Sequence, residues 1–156
     1  MHISINAVSK PGEEIEALLP VLRDAEEGEE RIRAALLDPS CVTYAARVEG
    51  ELIGAAVVRW DRHEASEILY IAVAAEQRGK GYGKQLIAAV QAELPLRGGN
   101  ALLVGTANSS LENIAFYQKC GFRMLEIRRD YFAYIQPPIQ EQGIVMRDMI
   151  VLSYER

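Results

Sequence analysis

The sequence predicts one α/β domain, of the α+β kind, and three observations carry that expectation. Seven segments rich in apolar and β-branched residues alternate with four segments of helical spacing, in the order β-α-α-β-β-β-α-β-α-β-β. One run, Glu67 to Ala74 (EILYIAVA), is apolar almost throughout, as expected of a strand buried on both faces. The 156 residues show no repeat, low-complexity tract or linker, so a single domain (1–156) with one sizeable core is expected.

Each element has its own local cause. His2 to Val8 sets Ile3, Ile5 and Ala7 against polar neighbours, the period of a strand. Lys10-Pro11-Gly12 then turns the chain. Glu13 to Asp24 carries Ile15, Leu18, Leu19 and Leu22 on one helical stripe, and Glu26 to Leu37 carries Ile32, Ala35 and Leu36 above a solvated acidic face. Asp38-Pro39-Ser40 ends the second helix. Cys41 to Val48 and Glu51 to Trp60 flank Glu49-Gly50, a hairpin signal. The polar stretch Asp61 to Ser66 leads into the central run. A helix over Gly83 to Leu94 lines up Leu86, Ile87, Val90 and Leu94 and is closed by Pro95 and Gly98-Gly99. Ala101 to Gly105 reads as a second buried strand. Asn108-Ser109-Ser110 offers caps to a helix over Leu111 to Lys119, which Gly121 ends. Phe122 to Ile127 and Ile144 to Tyr154 read as the last strands, separated by an excursion, Tyr131 to Gly143, that holds Pro137-Pro138.

Composition narrows the function. The formal net charge of −5 argues against a general nucleic-acid binder, which needs a basic face, yet leaves room for a local basic pocket. Cys41 and Cys120 and the two histidines, His2 and His63, lack metal-ligand spacing, so no metal is expected. Asn6, Ser9 and Lys10 stand where a signal peptide would be apolar, and no run approaches a membrane span. A cytoplasmic protein with reduced thiols is the expectation.

The stretch Arg78-Gly79-Lys80-Gly81-Tyr82-Gly83-Lys84, between the central strand and a helix, carries chemistry. The first N–H groups of a helix have no internal partners and carry partial positive charge. Glycines let that backbone approach a phosphate closely, and Arg78, Lys80 and Lys84 add full charge. A pyrophosphate-bearing ligand fits such a loop; a structural turn is the plainer alternative. Two nucleotide motifs fail. Gln85 follows Lys84 where a P-loop needs Ser or Thr, and the spacing is wrong; the glycines read GxGxG, not GxGxxG.

The loop does fit [QR]-x-x-G-x-[GA], and the chain is similar here to the GNAT N-acetyltransferases. Downstream, Ala115-Phe116-Tyr117-Gln118-Lys119-Cys120-Gly121-Phe122 resembles that family's A-x-x-Y-x-K-x-G-F region, one residue short between Ala115 and Tyr117. The resemblance covers nearly the whole chain and is strongest from Glu67 to Phe122. It implies a mixed, centrally splayed sheet of about seven strands with about four helices on its two faces, and acetyl-CoA bound where two parallel strands diverge.

By the same resemblance, Arg78, Gly79, Lys80, Gly81, Gly83 and Lys84 would line the pyrophosphate site. The backbone at Ile71 and Val73 would pair with the pantetheine arm, and an N–H near Val73 would stabilise the oxyanion. Tyr117 would donate to the departing thiolate, and Glu67 would serve as general base. Glu64, His63, Asp61 and Asp130 are weaker bases. Asn108 would hold the cofactor, although the family's asparagine lies seven residues before the tyrosine, where Ser110 stands. Helix capping is the alternative for both. The implied reaction is direct acetyl transfer to a primary amine of a small molecule or peptide. A non-catalytic acyl-CoA sensor or docking module, and another nucleotide binder, are the rivals. The acceptor would meet the first two helices, Asp61 to Ser66 and the excursion, where Tyr131, Phe132, Tyr134 and Pro137-Pro138 could form a wall. A homodimer is a family-level expectation.

Overall fold

The computed structural model describes residues 2–23, 25 and 28–155. Asp24 and Glu26, at the expected ends of the first two helices, lie outside the described residues. The strands are β1 (Ile3–Ala7), β2 (Cys41–Val48), β3 (Glu51–Arg59), β4 (Ser66–Val73), β5 (Ala101–Ala107), β6 (Arg123–Arg128), β7 (Gln140–Glu141), β8 (Ile144–Val145) and β9 (Met149–Glu155). The helices are α1 (Ile15–Leu22), α2 (Glu29–Leu37), α3 (Tyr82–Glu93) and α4 (Leu111–Lys119).

The main sheet has seven strands in the order β1-β2-β3-β4-β5-β9-β6. Every neighbouring pair is antiparallel except β4 and β5. That one parallel contact forces a crossover, which α3 supplies. Helices cover both faces, as expected. On one, Leu18, Leu22, Ile32 and Leu36 of α1 and α2 pack on Ala55 and Val57; on the other, Leu86, Ile87 and Val90 of α3 pack on Ala56, Val58 and Ile68. The pleat of β3 thus feeds two cores from alternate residues.

Several boundaries differ from the sequence reading, two of them with a clear local cause. Pro11 opens a 3-10 turn over Pro11–Glu13, and α1 starts two residues later than expected, at Ile15. The last strand is not continuous from Ile144. Gln142 (φ 53°) and Gly143 (φ 78°) turn β7 back on β8 as a two-residue hairpin. The next residues are drawn out of the ladder because the N–H groups of Arg147 and Asp148 both donate to Asn108 Oδ1 at 2.9 Å. Only from Met149 does the chain pair with β5.

Candidate active site

The site begins where the parallel ladder fails. β4 and β5 pair only at Ser66–Leu102, Glu67–Leu103 and Ile68–Val104. There, the register of β4 against β3 slips: Val58 faces Ile68 and Val57 faces Tyr70, which leaves Leu69 as an extra residue. Past this bulge the two strands diverge. Ala74 donates its N–H to Ile53 O at 2.8 Å, and the antiparallel alternation then turns the N–H and C=O of Ile71 and Val73 away from β3, toward the gap. Ile71 and Val73 both line the resulting cleft, of about 1610 Å³.

The glycine loop closes one end. Gly79 (φ 79°) and Gly81 (φ 84°) occupy the left-handed region, and a Cβ at either would touch nothing, so conformation rather than space demands glycine. Gly81 is the N-cap of α3, with no side chain bonded to it there. The first N–H satisfied inside the helix is that of Gln85, which donates to Gly81 O at 3.2 Å. The N–H groups of Tyr82, Gly83 and Lys84 therefore have no partner within α3 and sit at its positive end. At Gly83 a Cβ would stand 3.4 Å from Phe116 Cζ on α4, in contact with that ring. Arg78, Gly79, Gly81, Gly83 and Lys84 all line the cleft. Lys80 does not; its Nζ donates to Gln77 Oε1 at 3.1 Å. Arg78 Nε donates to Val73 O at 3.0 Å and so ties the loop to the end of β4.

Tyr117 is buried on α4 and reaches the cleft wall. Phe116 and Phe122 hold its ring edge-on at 5.3 and 5.7 Å. Burial, with Cys120 nearby, pushes its phenol well above the ordinary tyrosine range. Glu67 also lines the cleft, and one oxygen accepts from Arg59 at 3.1 Å across the β3–β4 pair. The other bases lie elsewhere. Asp61 Oδ1 accepts the N–H groups of His63 and Glu64 at 2.8 and 3.0 Å, which fixes a turn and holds its carboxyl below the usual range. None of Asp61, His63, Glu64 and Asp130 is on the cleft wall.

Asn108 is placed differently from the expectation. It is not on the cleft wall, and its amide is spent on the far segment: besides Arg147 and Asp148, it donates to Val145 O at 3.1 Å. Ser110 does reach the cleft. Its hydroxyl and that of Ser109 both donate to one oxygen of Glu141, at 2.9 and 2.8 Å. No local sequence signal marks Glu141, because its partners lie 31 and 32 residues away. Together Asn108 and Glu141 bolt the excursion to the β5–α4 turn, so that Tyr131, Phe132 and Tyr134 wall the cleft. Ser109 is fully buried. A Glu141→Ala change should thus cost about 1–3 kcal/mol by stranding that hydroxyl. Urea unfolding checks this; an unchanged midpoint would show that the latch contributes nothing.

A strand edge opened by a splay and ending on an uncapped helix N-terminus defines a protein built to take a long ligand with an anionic end. Residues 12–122 match the Acetyltransferase (GNAT) family, and the chain belongs to it. It is similar to N-acetyltransferase YvbK of Bacillus subtilis, with 38% identity over 70% of this chain and 71% of that protein. Among solved structures it is similar to an IAA acetyltransferase from Bacillus cereus (38% identity, TM-score 0.87, 99% of this chain and 100% of that one). It is also similar to a GNAT acetyltransferase from Elizabethkingia anophelis with acetyl-CoA bound (36% identity, TM-score 0.88, 99% of this chain and 98% of that one). The protein is thus an acetyltransferase by family. No described helix is long and apolar enough to cross a membrane.

Proposed function

We propose that the protein moves the acetyl group of acetyl-CoA to a primary amine by direct attack within a ternary complex. One observation carries this reading: a single cleft joins the open helix N-terminus, the freed edge of β4, Tyr117 and Glu67. The pyrophosphate is received by the N–H groups of Tyr82, Gly83 and Lys84, with Lys84 supplying charge. The pantetheine amides add to the edge at Ile71 and Val73 as an extra strand. Cys41 and Cys120 are both free thiols, which supports a cytoplasmic setting.

The chemistry then follows from charge. An alkyl ammonium must lose a proton to attack, at a cost of roughly 4–5 kcal/mol at pH 7. Glu67 takes that proton, directly or through water. The amine nitrogen bonds to the thioester carbon, and the carbonyl oxygen becomes an oxyanion held by the N–H of Val73. Collapse restores the carbonyl, breaks the C–S bond and releases the second proton of the nitrogen, which passes through water to the departing thiolate. The electron pair leaves on sulfur, where Tyr117 offers its hydroxyl. Because burial raises that phenol, it stays protonated at pH 7 and acts by hydrogen-bonding the sulfur as charge develops.

The test is release of free CoA thiol from acetyl-CoA, measured with and without an added primary amine. Amine-dependent release supports the reading; binding of acetyl-CoA with no turnover on any amine would favour a sensor module. Glu67→Gln is expected to lower kcat about 10²-fold at saturating acetyl-CoA. An unchanged kcat would move the base to solvent.

A further inference from the structure

We propose that the acceptor amine is carried on a flat apolar body, as in an arylalkyl amine, and that Tyr131, Phe132 and Tyr134 form the platform that binds it. The inference rests on the acetyltransferase reading of the same cleft and names its substrate class.

The three rings stand outside the packed interior. None belongs to either packed core. Tyr131 and Tyr134 remain 43% and 56% exposed, yet both line the cleft. Large aromatic surface left on a cleft wall is binding surface. The rings are also held in place, as a platform requires. Tyr131 and Phe132 meet edge to face at 5.0 Å. Tyr134 lies under the Arg31 guanidinium, 5.1 Å from its centroid, and its hydroxyl accepts from the same arginine at 3.2 Å. Phe132 N–H donates to Arg147 O at 3.0 Å, which anchors the segment's start.

Charge on this wall points the same way. Among the described residues, three carboxylates line the cleft, and two of them are already engaged. Glu141 serves Ser109 and Ser110, and Glu67 faces Arg59. A polyamine or aminoglycoside needs a row of carboxylates for its several cations. This cleft offers no such row: Glu67 stands where the reacting amine must lie, Glu112 is apart from it on the first turn of α4, and the platform itself presents π faces, with Ile135, Ile139 and Met146 lining the same cleft. One amino group on an aromatic body matches that layout.

The experiment compares CoA release with phenethylamine, n-butylamine and spermidine, alongside calorimetric titration with acetyl-CoA. The kcat/KM for phenethylamine is expected to exceed that of either other amine at least about tenfold. Tyr134→Ala should remove about tenfold of that kcat/KM, Tyr134→Phe should restore most of it, and neither should alter acetyl-CoA affinity. A preference for spermidine or n-butylamine, or a Tyr134→Ala enzyme with undiminished selectivity, by a protein that binds acetyl-CoA, would overturn the platform and leave the acetyltransferase reading standing. Failure to bind acetyl-CoA would remove both.

Discussion

Gly81→Glu is expected to weaken acetyl-CoA binding at least about 10²-fold, more than any other single change in the loop, because it opposes the ligand in two ways. Gly81 sits at φ 84°, a conformation that costs an ordinary L-residue about 1–2 kcal/mol. Relieving that strain would rotate the N–H groups of Tyr82 and Gly83 off their common target. The new carboxylate would then stand at the positive end of α3, where the pyrophosphate charge should be. A Cβ at this position meets nothing, so the fold itself should survive with a melting temperature about 2–4 °C lower. Gly81→Asn separates the two causes. Asparagine tolerates the left-handed region and brings no charge, so it should cost only a few-fold in affinity, by roughly the strain it retains. Calorimetric titration of the three proteins reads all of this. Equal affinities for wild type and Gly81→Glu would show that the ligand does not use this helix end.

Tyr117→Phe should act on the other half of the reaction. We expect kcat to fall about 10²-fold while acetyl-CoA affinity stays within about twofold. The ring is held by Phe116 and Phe122 and stays in place without the hydroxyl. That hydroxyl makes no hydrogen bond to another described residue, so the variant should be as stable as the wild type. A drop in kcat then reports the bond to sulfur and not a damaged core. The phenol, raised by burial, keeps its proton across the neutral range, so the kcat profile between pH 6 and 9 should owe no limb to Tyr117. A variant that kept full kcat would make Tyr117 a packing residue and leave sulfur to water.

The parts of this site that the sequence made legible are those with local causes. Alternating glycines after an apolar strand and before a helical stripe can only serve a turn at a helix start, and Gly79 and Gly81 take the positive φ that such a turn needs. The helical stripes of α1, α2 and α3, the cap residues before α4 and the Glu49-Gly50 hairpin were readable for the same reason. The splay was not readable from residues, because EILYIAVA contains no glycine or proline to mark the bulge at Leu69; only the family resemblance anticipated it. Motif spacing left Asn108 and Ser110 open as the cofactor contact, and the Asn108 amide is bonded to the far segment. An amide can cap, bind a ligand or clamp a distant segment, and what decided was the arrival of Val145, Arg147 and Asp148 from about 40 residues on. Glu141 was invisible for the same long-range reason. The excursion was readable equally as a pocket wall, a surface flap or a dimer contact, and its closure into the β7–β8 hairpin, and hence the late start of β9, depended on a turn read only as part of a loop.

The proposed mechanism requires one cleft to deliver the acetyl thioester from the α3 N-terminus to Tyr117. A crystal structure of the protein with acetyl-CoA tests it most directly. Pyrophosphate oxygens are expected on the N–H groups of Tyr82 to Lys84, amides of the pantetheine arm along Ile71 and Val73, and the sulfur within hydrogen-bond reach of the Tyr117 hydroxyl. Acetyl-CoA bound with its pyrophosphate away from Gly81, or with its sulfur turned from Tyr117, would contradict it.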